Sequence, residues 1–235
     1  MDTLLSHAGI IESDHNAAMA PPLHLATTYT RPADGQYLPD DKIYGRMDNP
    51  TRELLEATVG RLECHGDVRF DETTMKPTCA AFSSGLAAVS SILLTHQAPI
   101  RVFLHSDVYH GTSSAMADVM SRVGVSTERI DFTNAAEVEA AATSSFVSKD
   151  EANTGTIDSN KTNGTNRIFW METPSNPQCQ LIDIEATCDM IRSIDNTATT
   201  VVDSTLAPPC LVQPLRVSQS VGFGARRRTN RMATV

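Results

Sequence analysis

Apolar positions along the chain fall into two alternating rhythms. Short runs dense in β-branched and aromatic residues read as strands: "RVFLH", "VSTERIDF", "RIFWMET" and "TTVVDS". Between them lie stretches with apolar residues three and four apart, the spacing of a helix face. These are "SSGLAAVSSILLTH", "SAMADVMSRVG", "NAAEVEAAA" and "IEATCDMIRS". "TCAAF" reads as one more short strand, and "SDVYHGTS" and "PSNPQCQ" as loops. Asn134 and Glu137 stand at capping-box spacing. Upstream, "NPTRELLEATVGRLE" predicts a helix capped by Asn49, with Pro50 at its first position and Leu54, Leu55, Thr58, Val59 and Leu62 on one face. The repeated strand–helix alternation predicts an α/β domain with a mostly parallel sheet covered by helices. Ligands of such sheets bind beyond the carboxyl ends of the strands.

Two segments stand outside this rhythm. Residues 1–40 are irregular and rich in Pro, His and Thr, and read as an extended arm. Residues 148–166, "SKDEANTGTIDSNKTNGTN", are polar and aperiodic and read as an exposed surface insertion.

Composition narrows the functional classes. With 40% hydrophobic and 20% charged residues, the 235-residue chain has the balance of a soluble globular protein. A net charge of −9 argues against nucleic acid as a partner, since phosphate-backbone affinity needs clustered Lys and Arg. The basic cluster "ARRRTNR" reads as a tail. None of the five cysteines forms a C-x-x-C pair, which speaks against a zinc knuckle or thioredoxin motif and points to no metal. Their odd number fits a reducing compartment, hence the cytoplasm. No leader-like start and no run of membrane-spanning length is visible.

Candidate chemistry gathers at the strand ends. Ser83-Ser84-Gly85-Leu86 follows "TCAAF", Asp107 and Tyr109 follow "RVFLH", Glu172 and Asn176 follow "RIFWM", and Asp203 follows "TTVV". Each has a plain reading alone. The Ser-Gly pair turns the chain into a helix, Tyr109 packs, Asn176 turns between two prolines and Asp203 caps the turn after its strand. Four successive strands ending in polar groups on one sheet edge are better explained by a single ligand. It would carry a phosphate for the helix N-terminus, a flat ring for Tyr109 and a basic ring atom for Asp203. Pyridoxal 5′-phosphate has all three, and a carboxylate at the pyridine nitrogen keeps that ring an electron sink. A serine hydrolase built on Ser84 is disfavoured, because no G-x-S-x-G turn is present.

In these stretches the sequence resembles the Cys/Met-metabolism family of pyridoxal phosphate enzymes, the cystathionine γ-synthases, γ-lyases and β-lyases. "YGRMDNPTRELLEATVGRLE", "FSSGLAA", "SDVYHGT", "METPSNPQCQLIDI" and "VVDSTLAPPCLVQPL" carry the resemblance, over roughly Pro21 to Val217. It implies the large domain of the aspartate-aminotransferase-like fold (fold type I), with helices on both sheet faces and domain limits at 41–217. Tyr44 and Arg46 would reach the phosphate of a neighbouring subunit's cofactor, so the partners would be a second subunit, in a dimer or dimer of dimers, and a sulfur amino-acid substrate. Gly85 and Leu86 would hold the subunit's own phosphate through backbone N–H groups. Tyr109 would stack on the pyridine ring, Asn176 would lie near its phenolic oxygen, and Asp203, with Thr205 beside it, would pair with the ring nitrogen.

The sequence also departs from the family. The resemblance implies a Schiff-base lysine in a Ser-x-Thr-Lys stretch about 25 residues after the aspartate. Counting on from Asp203 reaches Arg228, and the four lysines are Lys42, Lys76, Lys149 and Lys161. Arginine stays protonated and is no substitute nucleophile. Residues 218–235 read as a non-matching tail, and the family's smaller C-terminal domain, with its arginine for the substrate carboxylate, is expected to be missing. The expectation is an incomplete, inactive relative of a transsulfuration enzyme. The alternative is a non-catalytic protein that binds pyridoxal phosphate or lends Tyr44 and Arg46 to a full-length subunit.

Overall fold

The structure is a computed structural model that describes residues 20–38, 41–63, 79–144, 166–217 and 232–234. Contacts divide the chain into two units, Met1–Ala81 and Phe82–Val235.

In the first unit, residues 20–38 are largely irregular, with an isolated antiparallel bridge from Thr28 to Tyr44. Helix α1, Pro50–Glu63, begins where the sequence predicts. Asn49 Oδ1 accepts from the N–H groups of Thr51 and Arg52, satisfying two donors the first turn leaves open. Most of the predicted face holds, with Leu54, Thr58, Val59 and Leu62 half-buried. Leu55 is exposed, while Gly60 and Glu63 are buried and Glu56 lies on their side. Glu56 accepts the Ala81 backbone N–H at 2.8 Å. Burial pushes Glu63 up to about 7. Burial first, then the negative charges of Glu56 and Glu63, raises the Cys79 thiol.

In the second unit, helix α2 spans Gly85–Leu94, β1 Ile100–His105, α3 His110–Ser114 and β2 Val125–Ile130. Helix α4, Ala135–Thr143, precedes β3, Asn166–Glu172; helix α5, Ile184–Ile194, precedes β4, Thr199–Asp203. A short helix α6, Pro214–Val217, and an edge strand β5, Met232–Thr234, complete the described elements. The strands are parallel throughout, in the order β2-β1-β3-β4-β5. Alternate residues of the central strands face opposite ways. Phe103, Phe169, Met171 and Val202 pack on α4 and α5 through Val138, Ala141, Ile184, Cys188 and Ile191. Val102, Leu104, Ile168, Trp170 and Val201 pack on the other face, against Val89, Leu93, Met116 and Met120. A parallel sheet buried on both faces is therefore the architecture, as expected.

Three local readings differ. Residues 79–82 of "TCAAF" form no strand, because they find no ladder partner among the described residues and Ala81 turns to Glu56 instead. The helix after β1 starts at His110, four residues before the predicted start, and passes through a π turn, Ala115–Val119, and a 3₁₀ turn, Met120–Val123. It ends on Gly124 at φ 87°, a left-handed position that glycine occupies without strain. At α4, Asn134 Oδ1 caps the Ala136 N–H, but Glu137 reaches the Asn134 amide side chain and the Asp131 N–H, not the cap's own backbone N–H. The predicted insertion lies outside the described residues but for Asn166, which opens β3; of the tail, only Met232–Thr234 is described.

Phe103 and Phe169 stack at 4.6 Å between ring centroids, and Phe132 meets Phe169 edge-on at 6.4 Å. Phe169→Ala is expected to cost about 3–5 kcal/mol in urea unfolding. Leu181→Ala, at an exposed position, should stay within about 0.5 kcal/mol. Equal losses at the two sites would contradict this core.

Candidate functional site

The strand order reverses direction between β1 and β3, and in open parallel sheets that switch point leaves a crevice at the carboxyl edge. A cavity of about 410 Å³ sits there, within the size range of small-molecule sites. Gly85 and Leu86 border it from the start of α2, Tyr109 and Thr112 from the segment after β1, Glu172 and Asn176 from the end of β3, and Asp203 and Thr205 from the end of β4. The structure thus brings together six of the eight residues singled out in the sequence. Tyr44 and Arg46 belong to the first unit. There the Arg46 guanidinium lies over the Tyr44 ring, 4.7 Å from its centroid.

The helix end is open to a ligand. Ser84 adopts an extended backbone before α2 and its Oγ accepts the Ala87 N–H at 3.2 Å. The N–H groups of Gly85 and Leu86 have no intrahelical acceptor, so they and the helix dipole offer an anion site. A Cβ added to Gly85 would meet no protein atom within 4 Å, and its φ is not in the left-handed region. Neither packing nor backbone conformation demands glycine here.

Gly111 is different. A Cβ on it would come within 2.4 Å of the Tyr109 ring, so the ring rests directly over the glycine. Tyr109 itself is half exposed and flanks the cavity.

The floor is acidic. Glu172 and Asp203 are paired neighbours at the ends of β3 and β4, 4% and 6% exposed. Thr205 donates to Asp203 Oδ1 twice, from its N–H at 3.1 Å and its hydroxyl at 2.6 Å. Those bonds fix the carboxylate without neutralising it, and Asp203 has no ion pair among the described residues. Thr205 therefore acts on Asp203 as well as lining the cavity. Glu172 Oε2 accepts the Tyr109 N–H at 2.9 Å. Burial pushes Glu172 up to about 7, opposed by its backbone hydrogen bonds from Tyr109 and Asn176 and reinforced by the charges of Asp203 and Asp107. From the other side, Asp107 Oδ2 accepts the Ser175 hydroxyl and, at 3.0 Å, the Gln178 N–H. The loops after β1 and β3 are thereby cross-tied by two carboxylates. The sequence places Glu172 at a strand end but gives no sign of this tie, whose partner lies 63 residues upstream. Among the described residues no cluster of His, Cys, Asp and Glu could hold a metal ion, and no helix is long and apolar enough to cross a membrane.

The residues present fit pyridoxal phosphate: a helix N-terminus with free N–H donors for its phosphate, a tyrosine on the cavity wall, and a buried carboxylate without an ion pair among the described residues for the ring nitrogen. Comparisons with known proteins agree. The family described as "Cys/Met metabolism PLP-dependent enzyme" matches residues 2–223. The chain is 30% identical to cystathionine gamma-lyase of Bacillus subtilis over 219 residues, 93% of this chain and 48% of that enzyme. It is 28% identical to cystathionine gamma-synthase of Haemophilus influenzae over 222 residues, 94% and 51% respectively. Among solved structures, cystathionine gamma-lyase of Lactobacillus plantarum aligns with a TM-score of 0.69 at 27% identity, over 92% of this chain and 48% of that one. The chain spans about half the length of the curated relatives it matches. The chain belongs to the Cys/Met-metabolism family of pyridoxal phosphate-dependent enzymes.

Proposed function

We propose that this chain is the pyridoxal phosphate-binding part of a transsulfuration enzyme acting on a sulfur amino acid, by elimination at the β- or γ-carbon or replacement at the γ-carbon. The observation that carries the reading is Asp203: a buried carboxylate, oriented by Thr205, on the floor of an open cavity and without an ion pair among the described residues. A charge in that position is costly unless a ligand supplies the opposite sign. The bound cofactor supplies an electron sink for carbanions at the substrate. Gly85 and Leu86 direct N–H groups at the phosphate, Tyr109 covers one ring face, Asn176 sits near the phenolic oxygen and Asp203 holds a proton on the ring nitrogen. Tyr44 and Arg46 serve a neighbouring subunit's phosphate in a cytoplasmic oligomer.

On the same reading, the chain by itself is catalytically inactive. None of its four lysines follows Asp203 in the sequence. A chain without that amine lacks both the covalent anchor and the base that would move protons at the substrate. The alternative, a non-catalytic protein that binds the cofactor or assembles with a full-length subunit, draws on the same absence. Mixing the chain with an active full-length relative separates the two: a non-catalytic subunit would change that enzyme's activity, and an isolated fragment would not.

Two binding outcomes test the site. The probe is 4′-deoxypyridoxine 5′-phosphate, which has the ring and phosphate but no aldehyde. Asp203→Asn should weaken its binding by at least about tenfold, or about 1.4 kcal/mol. Gly85→Ala should weaken it comparably while leaving the unfolding midpoint unchanged or higher, since Ala favours helix by up to about 1 kcal/mol. Unchanged binding in both variants would sink the site. A further outcome concerns the missing amine. Incubation with pyridoxal 5′-phosphate, borohydride reduction and peptide mapping should find no stoichiometric pyridoxyl group on any single lysine. One fully labelled lysine would refute the inactivity.

A further inference from the structure

We propose that Glu172 is a positioning residue for the cofactor cavity: its carboxylate holds the backbone of Tyr109 and Asn176 and so sets where their side chains meet the ligand. This rests on the cofactor site proposed above.

Glu172 is 4% exposed and borders the cavity from the end of β3. Its Oε2 takes the Tyr109 N–H at 2.9 Å, and the backbone of Asn176 also donates to the carboxylate. Two ligand-facing residues, from loops after different strands, thus hang on one side chain. Asp107 completes the tie in the opposite direction, from the β1 loop to Ser175 and Gln178 of the β3 loop. The choice of an acid here is not explained by the fold. The charged groups facing it are Asp203 on β4 and Asp107 after β1, both of like sign. A neutral residue would avoid that repulsion and the cost of burial. What an ionised carboxylate offers is acceptor capacity without a donor. Glutamine or a protonated acid keeps one acceptor oxygen but turns its NH₂ or O–H toward the second of the two N–H groups.

Protonation gives the signature. The folded carboxyl titrates at about 7, above its unfolded value of 4.5. Folded protein therefore binds this proton more tightly than unfolded chain, so Glu172 destabilises the fold progressively as pH rises from 4.5 to about 7. Ligand positioning runs the opposite way, because only the ionised carboxyl, prevailing above about 7, offers both oxygens as acceptors to Tyr109 and Asn176. A residue serving stability alone would not show opposed slopes.

The test uses the whole chain and its Glu172→Gln variant, with 4′-deoxypyridoxine 5′-phosphate as probe. Dissociation constants and urea unfolding are measured between about pH 6 and pH 8.5, a span over which the wild-type carboxyl changes charge. At the alkaline end Glu172→Gln is expected to bind about tenfold more weakly, as for a buried N–H left unpaired. The wild-type-to-variant affinity ratio should shrink as pH falls, cancelling the probe's own titrations, and the variant should gain relative stability as pH rises. Should the variant not fold, the amide-proton shifts of Tyr109 and Asn176 in wild-type chain provide the readout, and both should titrate near pH 7. Equal binding by Glu172→Gln at alkaline pH, binding lost only in step with unfolding, or amide shifts flat across this range would each overturn the proposal. If the wild type binds the probe and the variant matches it, only the role of Glu172 falls. If the wild type does not bind at all, the cofactor site falls and the inference with it.

Discussion

Backbone leaving the carboxyl end of a buried parallel strand carries donors that no ladder satisfies, and a binding crevice must keep them ordered without filling itself. In this chain two carboxylates meet that constraint. Asp107 and Glu172 reach across the switch point in opposite directions, each accepting from the loop that follows the other's strand. The cavity exists in its present shape because those loops are held to each other and not collapsed onto Asp203. Hydrogen bonds to a charged group contribute about 1.5–3 kcal/mol each, enough to offset the disorder of short loops. The result is a site whose walls are held by hydrogen bonds and whose floor is formed by two buried acids with no ion pair among the described residues.

Much of the framework was legible in the residue pattern. The apolar run ending at Asp203 marks a strand entering a crevice, and β3 shows the same shape with Glu172. The helix starting at Gly85 follows from Ser84 and the small residues around it. Harder to read were features set by partners distant in sequence. Local propensity cannot tell whether "TCAAF" will find a neighbouring strand, and in this unit its backbone turns to Glu56. The tie from Glu172 to Tyr109 depends on register between two crossovers, which no periodicity encodes. Tyr44 and Arg46 were suggested by family resemblance alone.

Family membership and the residues of the cavity bear on different questions. The match reaches residue 223 and covers the cavity entirely. It speaks to the cofactor class.

The glycine beneath Tyr109 has a consequence for engineering. Gly111 lies inside α3, where alanine would favour the helix by up to about 1 kcal/mol. A screen for thermal tolerance would be drawn to that substitution. The added methyl would meet the aromatic ring at 2.4 Å and tilt it away from its seat. Robustness and ligand geometry therefore pull against each other at a position with no functional group of its own. Optimised variants of this scaffold would drift toward sturdier proteins with a misaligned aromatic wall unless selection also reads the ligand.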